Sequence, residues 1–247
     1  MSKRLEMLLK MRELKKDDPF VHYGLALEFK SLGRLDEALA TFASMREQFA
    51  SYVPQYLMAS QILTAQARND EARVVLTVGI EAARSVLARE ATNAAAHYWL
   101  GMNLGQLART KTLGALPLVR EMEALFLRAR ALDPHTDYAG PDRSLGRLYR
   151  DAPGWPASIG SRKMAREHFD HAVRLHPEFP ENQLELLESF LAWGERENFQ
   201  RQRPRAEQAV AESGAKFTGE PWAASRGDWS RRLGTMKHHF STGRSDR

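Results

Sequence analysis

Three arginines at helical spacing carry the clearest chemistry in this 247-residue chain. Arg143, Arg147 and Arg150 are separated by four and three residues, so a helix would align them in one stripe. Guanidinium groups bind carboxylates through paired hydrogen bonds, so the stripe predicts an anion site for an acidic peptide end or an amphiphilic carboxylate. The alternative is that nearby aspartates pair with the stripe and brace the following loop. The aspartates available for this role are Asp133, Asp137, Asp142 and Asp151.

The loop after this stripe, DAPGWPASIG over residues 151–160, separates two helical patterns. Pro153 and Pro156 are expected to end the first helix and stiffen the loop. Trp155 is expected to cover apolar surface beside the arginines and to form a wall of the site. Ser161 has the position of an N-cap for the next helix. The loop is therefore predicted to be a lengthened joint rather than a catalytic loop.

Catalytic and metal-binding patterns are missing from the sequence. The chain has no cysteine, which excludes disulfides, thiolate metal sites and cysteine nucleophiles. It has no G-x-S-x-G motif, and Ser158 has no recognisable base. His168 and His171 share a helix face, but the HExxH spacing of a zinc site is absent. We therefore predict a protein that is not an enzyme and that has no metal and no cofactor.

Charge and hydropathy restrict the partners and the compartment. The net charge is +5, and all of this excess lies after residue 195. No aromatic residues alternate with these basic residues in the manner of an RNA-binding surface, so nucleic acid is not an expected partner. No apolar run approaches the roughly 18 residues of a membrane span, and the first residues do not resemble a signal peptide. These features predict a cytoplasmic protein without a membrane span.

The elements that would position these residues belong to a repeat. Asp-Glu-Ala occurs at residues 36–38 and again, 34 residues later, at 70–72. The pattern F-x-x-A-x-x-L-x-P occurs at residues 126–134 and 169–177. Small residues at helical positions would let paired helices approach closely, and stacked pairs would bury a continuous core. The small residues concerned are Ala26, Ala38, Gly101, Gly146, Ala165 and Ala172.

These residues resemble the tetratricopeptide repeat family over nearly the whole chain, with a period of about 34 residues. The resemblance implies an all-α, right-handed superhelix of stacked helical hairpins. A last paired helix is expected at residues 205–213. Trp222, Trp229 and Leu233 are expected on one face of a short helix that caps the superhelix; the alternative is that the two tryptophans anchor a partner. The predicted divisions are a leading helix at 1–18, standard hairpins at 19–93, degenerate hairpins at 94–213 with insertions at about 107–120 and 151–160, and a basic capping segment with a disordered tail at 214–247.

Residues 94–210 also resemble a narrower group, the T component-associated tetratricopeptide proteins of TRAP transporters. The resemblance rests on the two inserted segments and on the stretch DYAGPDRSLGRLYRDAPGWPASIGS between positions 137 and 161. It implies an alternative function, that of a small-ligand carrier or a transport accessory protein with an apolar cavity walled by the insertions.

The tetratricopeptide resemblance also implies which residues line the inner, concave groove. They come from positions 5, 9 and 12 of the first helix of each repeat: Tyr23, Leu27 and Lys30; Leu57, Gln61 and Thr64; Tyr98, Met102 and Gly105; Arg143, Arg147 and Arg150. Family members that clamp the carboxylate tail of chaperones use Lys and Asn where this chain has Tyr23 and Leu27, so such a clamp is not expected. The predicted function is a non-catalytic interaction module that binds a peptide or protein in a groove apolar at its N-terminal end and basic at the fourth repeat.

Overall fold

The computed structural model describes residues 2–110, 115–218 and 222–241, which form twelve helices without a β-strand. The chain divides into two compact units, the first ending at Asp133 and the second beginning at Pro134. Residues 111–114 of the first predicted insertion, residues 219–221 of the capping segment and the last six residues of the predicted disordered tail lie outside the described part. No described helix is both long enough and apolar enough to cross a membrane.

Unit 1 consists of a leading helix followed by three helical hairpins. Helix α2 packs against α3, α4 against α5, and α6 against α7. Apolar residues from successive hairpins meet in shared clusters, so each hairpin completes the core of its neighbour. The helices are α1 Lys3–Leu14, α2 Pro19–Ser31, α3 Leu35–Gln48, α4 Pro54–Ala65, α5 Asn69–Arg89, α6 Ala94–Arg109 and α7 Leu116–Leu132.

Unit 2 contains two further hairpins and a final helix. They are α8 Gly140–Asp151 with α9 Arg162–Leu175, α10 Pro180–Ala192 with α11 Arg196–Lys216, and α12 Ala223–Ser241 packed on α10 and α11. The paired helix expected at residues 205–213 is present but longer, because α11 begins at Arg196 and continues through Pro204 to Lys216. Proline removes one backbone donor, but burial of Phe199 and Ala206 keeps both halves of α11 within the core.

Helices α2 and α9 begin at side-chain caps, one of which is the predicted cap at Ser161. The side chain of Asp18 accepts a hydrogen bond from the backbone N–H of Phe20 at 3.0 Å, and Ser161 accepts one from the N–H of Met164 at 3.3 Å. Each bond satisfies an amide that has no partner within the first turn of its helix. These local signals therefore define where α2 and α9 begin.

Hydrogen bonds from side chains to the backbone also join each of four hairpins to the segment before it. A polar side chain in the first turn of a hairpin bonds the backbone carbonyl oxygen six residues before it, at donor–acceptor distances of 2.7–3.0 Å. The pairs are His22 with Lys16, Gln55 with Phe49, His97 with Ala91, and Gln183 with Pro177. Carbonyl groups one or two residues after the ends of the preceding helices thus gain partners inside the protein.

Candidate functional site

Arg143 is enclosed at the start of α8 and makes several hydrogen bonds. Its Nη2 atom lies 2.6 Å from Oδ2 of Asp137, and its Nη1 atom donates to Oδ1 of Asn182 at 2.8 Å. Nη1 also donates to the carbonyl oxygen of Tyr138, and only 5% of Arg143 is exposed. Arg143 therefore fastens the turn that precedes α8 to the buried amide of α10.

Arg147 and Arg150 bind carboxylates of α10. The Nη2 atom of Arg147 is 2.7 Å from Oε1 of Glu181 and 2.5 Å from Oε1 of Glu185. The Nη1 atom of Arg150 is 3.0 Å from Oε2 of Glu185, and its Nε atom is 2.7 Å from Oδ1 of Asp151. Each carboxylate oxygen of Glu185 thus receives one arginine of α8, which ties α8 to α10.

Arg232 of α12 binds the same acidic residues. Its Nη1 atom lies 2.9 Å from Oε1 of Glu181, and its Nε atom lies 2.8 Å from Oε1 of Glu188. Its Nη2 atom is 3.3 Å from Oε1 of Glu185. We call Glu181, Glu185 and Glu188 the carboxylate row. Arginines from both α8 and α12 therefore compensate the acidic charge of α10.

The pKa values of the carboxylate row follow from this pairing. Burial alone would raise the pKa of Glu185. The charge and hydrogen bond of Arg147, together with the charges of Arg150 and Arg232, lower it to about 2. The pKa of Glu181 is also lowered, because the charges of Arg232 and Arg147 overcome the effect of its burial. Both carboxylates are therefore ionised at neutral pH.

The geometry of the arginine stripe favours the bracing alternative over an anion site, because oxygen atoms of the protein engage each guanidinium. Two of the expected partners, Asp137 and Asp151, take part. The glutamates of α10 supply the remaining carboxylates. The sequence carried a signal for them, since Glu181, Glu185 and Glu188 repeat the four-and-three spacing of the arginines.

Asp142 binds two histidines of α9. Nδ1 of His168 is 2.8 Å from Oδ1 of Asp142, and Nδ1 of His171 is 2.7 Å from Oδ2. Asp142 is fully buried, so these bonds replace the water that its carboxylate loses on folding. Among the residues that the structure describes, no group of three or more His, Asp or Glu side chains could hold a metal ion.

The expectation that Trp155 covers apolar surface and walls the site is wrong, because its side chain is 89% exposed. The loop is folded on itself instead. The N–H of Gly160 donates to the carbonyl of Pro153 at 2.8 Å, and the N–H of Ser158 donates to the carbonyl of Gly154 at 3.2 Å. These bonds close the base of the loop and leave its tip, with Trp155, in solvent.

In unit 1, the residues predicted to line the groove fall into two classes. Tyr98 and Leu57 belong to the core, so the expectation that they offer contact to a ligand is wrong. Tyr98 is 1% exposed, and its ring packs against that of Phe126 at a centroid distance of 6.2 Å. The predicted residues that keep partial exposure form what we call the inner-face set: Tyr23, Leu27, Lys30, Gln61, Thr64, Met102 and Gly105.

Lys30 is the cation of the inner-face set. It follows Tyr23 and Leu27 at seven and three residues, which places the three side chains on one face of α2. Its ammonium has no ion-pair or hydrogen-bond partner among the described residues, and burial lowers its pKa. A half-buried ammonium without a counter-charge is energetically unfavourable, because it has lost water without a replacement.

Comparisons with known proteins address the fold. No family model matches the chain, and no curated protein sequence matches it. A solved structure of a thermophilic TPR protein from Thermus thermophilus, TTC0263, aligns with a TM-score of 0.58 at 16% identity, over 89% of this chain and 98% of that one. A human IFIT1 dimer solved with m7Gppp-AAAA aligns with a TM-score of 0.53 at 14% identity, over 94% of this chain and 57% of that one.

The narrower resemblance to the TRAP-associated proteins stays a prediction, because neither of these two solved structures bears on it.

Three observations agree on the fold: the helical hairpins that complete one another's cores, the 34-residue spacing, and the structural likeness to a solved TPR protein. The predicted fold class is therefore confirmed, and the chain is an all-α tetratricopeptide superhelix.

Proposed function

We propose that this protein is a non-catalytic interaction module that binds a peptide segment of a partner protein on the inner-face set of unit 1. The observation that supports this proposal is Lys30, a half-buried ammonium without a counter-charge beside partly exposed apolar side chains. A ligand carboxylate would supply the missing charge. The site thus has an ammonium group whose charge a partner would neutralise and an apolar surface that the partner would cover.

The same residues define the chemistry of the ligand. Tyr23, Leu27 and Met102 would contact apolar side chains, which supply most of the affinity of such a groove. The amide of Gln61 can both donate to and accept from the backbone of an extended peptide. Lys30 would bind an Asp, a Glu or a terminal carboxylate. The recognition of an acidic end is thereby proposed for the first repeat, whereas the arginines of the fourth repeat brace the fold.

A selection experiment tests the proposal without knowledge of the natural partner. A random peptide library would be selected on the full-length protein, and the affinity of an enriched peptide would be measured by titration calorimetry. We expect enriched peptides to combine apolar residues with a carboxylate. Lys30→Met should weaken binding at least tenfold, about 1.4 kcal/mol, and Leu27→Ala should weaken it comparably.

The matched control is Lys10→Met, which removes an exposed lysine from α1 and should leave affinity unchanged. Peptides without acidic residues, or peptides that bind the Lys30→Met variant as tightly as the wild-type protein, would contradict the assignment of Lys30. Selection of peptides whose binding survives both Lys30→Met and Leu27→Ala would contradict the whole site.

A further inference from the structure

Helix α12 has the pattern of an amphipathic helix bound in a groove. Trp229, Leu233 and Met236 recur at intervals of four and three residues, and all three are buried. Ser230 and Arg231, which lie between them in the sequence, are exposed. The buried side chains face α10 and α11, the two helices on which α12 packs. One stripe of α12 therefore makes the contacts, as in recognition of a helical peptide by a groove.

Aromatic residues form the apolar part of this groove. The ring of Trp229 lies 5.6 Å from that of Phe179 and 5.8 Å from that of Phe217, both nearly perpendicular to it. Trp222 packs on Phe217 at 5.1 Å, and Tyr138 stacks on Phe179 at 4.5 Å. Tryptophans enclosed by aromatic rings are the side chains that most often dominate binding energy at interfaces.

The carboxylate row forms the polar part of the groove. The indole Nε1 of Trp229 donates to Oε2 of Glu181 at 2.8 Å. Arg232 donates hydrogen bonds to Glu181, Glu185 and Glu188. Burial would lower the pKa of Arg232, but the hydrogen bonds and charges of Glu188 and Glu181 together raise it. A tryptophan followed by an arginine three residues later thus satisfies both the aromatic pocket and the carboxylate row.

We propose that the groove between α10 and α11 is a second recognition site, for a basic amphipathic helix of a partner protein, and that α12 is its internal occupant. The partner helix would carry an aromatic residue, an arginine three residues later, and aliphatic residues four and seven positions after the aromatic. The occupant is of this class because Arg232 binds both oxygens of Glu188 and also binds Glu181, and an acidic or neutral helix would not supply these ion pairs. This site is separate from the inner-face set of unit 1 and does not depend on it.

The attachment of α12 to the same chain explains why it fills the groove in the absence of a partner. A tethered helix competes at a high effective concentration, so a partner helix binds weakly until α12 is loosened or outcompeted. Weakening the anchors of α12 should therefore raise the affinity for an added helix, because the tethered helix then occupies the groove for less of the time.

The test uses the full-length protein and a fluorescent peptide with the sequence of residues 222–241, WAASRGDWSRRLGTMKHHFS. The double variant Trp229→Ala/Leu233→Ala removes two apolar anchors of α12 and should bind the peptide at least tenfold more tightly than the wild-type protein does. The same peptide with the arginine corresponding to Arg232 changed to glutamate should bind neither protein. Ser230→Ala on the exposed face of α12 should behave as the wild-type protein does.

Arg232→Gln is a milder variant that tests the same prediction if the double variant fails to fold. Circular dichroism reports the helix content of both variants. The proposal is overturned if the Arg232→Gln protein remains helical yet gains no affinity for the peptide. It is also overturned if light scattering shows a dimer that the peptide splits into monomers, because the occupant would then be α12 of a second copy. Leu27→Ala should leave this peptide's affinity unchanged, so failure here is distinguishable from failure of the unit 1 site.

Discussion

Gly101 of α6 lies directly against the ring of Phe126 of α7. A Cβ atom on Gly101 would lie 2.5 Å from Cε1 of Phe126, closer than real Cβ atoms approach. The same relationship recurs in unit 2, where a Cβ atom on Gly146 would lie 2.6 Å from Cδ1 of Phe169. In both hairpins the missing side chain lets a buried phenylalanine fill the space between paired helices.

We expect Gly101→Ala to destabilise unit 1 by about 1–3 kcal/mol, because the phenylalanine ring must shift within a packed core. Urea denaturation followed by circular dichroism measures this change. Gly214→Ala is the matched control, since a Cβ atom at Gly214 meets nothing within 4 Å. Alanine there should stabilise α11 slightly through its helix propensity. Equal effects of the two substitutions would contradict the packing role of Gly101.

Glu185 should make the protein sensitive to acid. Its folded pKa of about 2 lies below the ordinary value of 4.5, so its contribution to stability is present above pH 4.5 and is lost as the pH falls to about 2. The contribution of this carboxylate is about 3 kcal/mol at neutral pH. The free energy of unfolding, measured in urea at several pH values, should decline across that window.

Glu185→Gln should destabilise the protein by about 3–5 kcal/mol at pH 7, because it leaves arginines without their shared counter-charge. The loss relative to the wild-type protein should shrink as the pH approaches 2. Glu47→Gln on the exposed surface of α3 is the control and should change stability by less than about 0.5 kcal/mol. A pH-independent difference between Glu185→Gln and wild type would show that the loss is not electrostatic.

Lys30→Met should stabilise the free protein at neutral pH while weakening the proposed ligand binding. Because burial lowers the pKa of Lys30, the folded state disfavours the charged ammonium. This penalty is present below the folded pKa and disappears as the pH rises through the folded pKa towards the unfolded value of 10.5. We expect a gain of about 0.5–1 kcal/mol in urea denaturation at pH 7. A loss of stability in Lys30→Met would instead indicate that the ammonium has a favourable partner in the folded protein.

Arg4 and Glu28 form a buried ion pair that holds α1 against α2, with an Nη1–Oε2 distance of 3.1 Å. Arg4→Met alone should cost about 3–5 kcal/mol, because Glu28 would remain buried without its cation. The double variant Arg4→Met/Glu28→Met should recover most of this loss, since two apolar side chains replace two buried charges. A double-mutant cycle in urea measures the coupling. Additive losses in the double variant would mean that the two charges do not depend on each other.

Local signals in the sequence predicted the helical elements well, and the expectations that failed have a physical explanation. The cap at Ser161 and the glycine at position 101 act within a few residues or within one hairpin, so their types state their roles. Pro204 does not end α11, because helix breaking by proline is a local tendency that burial on both sides overrides. Trp155 misled because residue type alone does not say whether a loop folds inward.

For the candidate sites, too, the sequence determined some features and the tertiary structure decided others. The sequence by itself determined the helical hairpins, their spacing and the stripe of arginines on α8, because periodicity and small residues encode them directly. Only the tertiary structure decided that Arg147 meets Glu181, that Tyr98 is buried and that Lys30 is left without a partner among the described residues. Those outcomes depend on side chains more than thirty residues apart, or on water excluded by neighbouring helices. A sequence pattern does not contain these outcomes, because Coulomb and desolvation energies depend on distances in space.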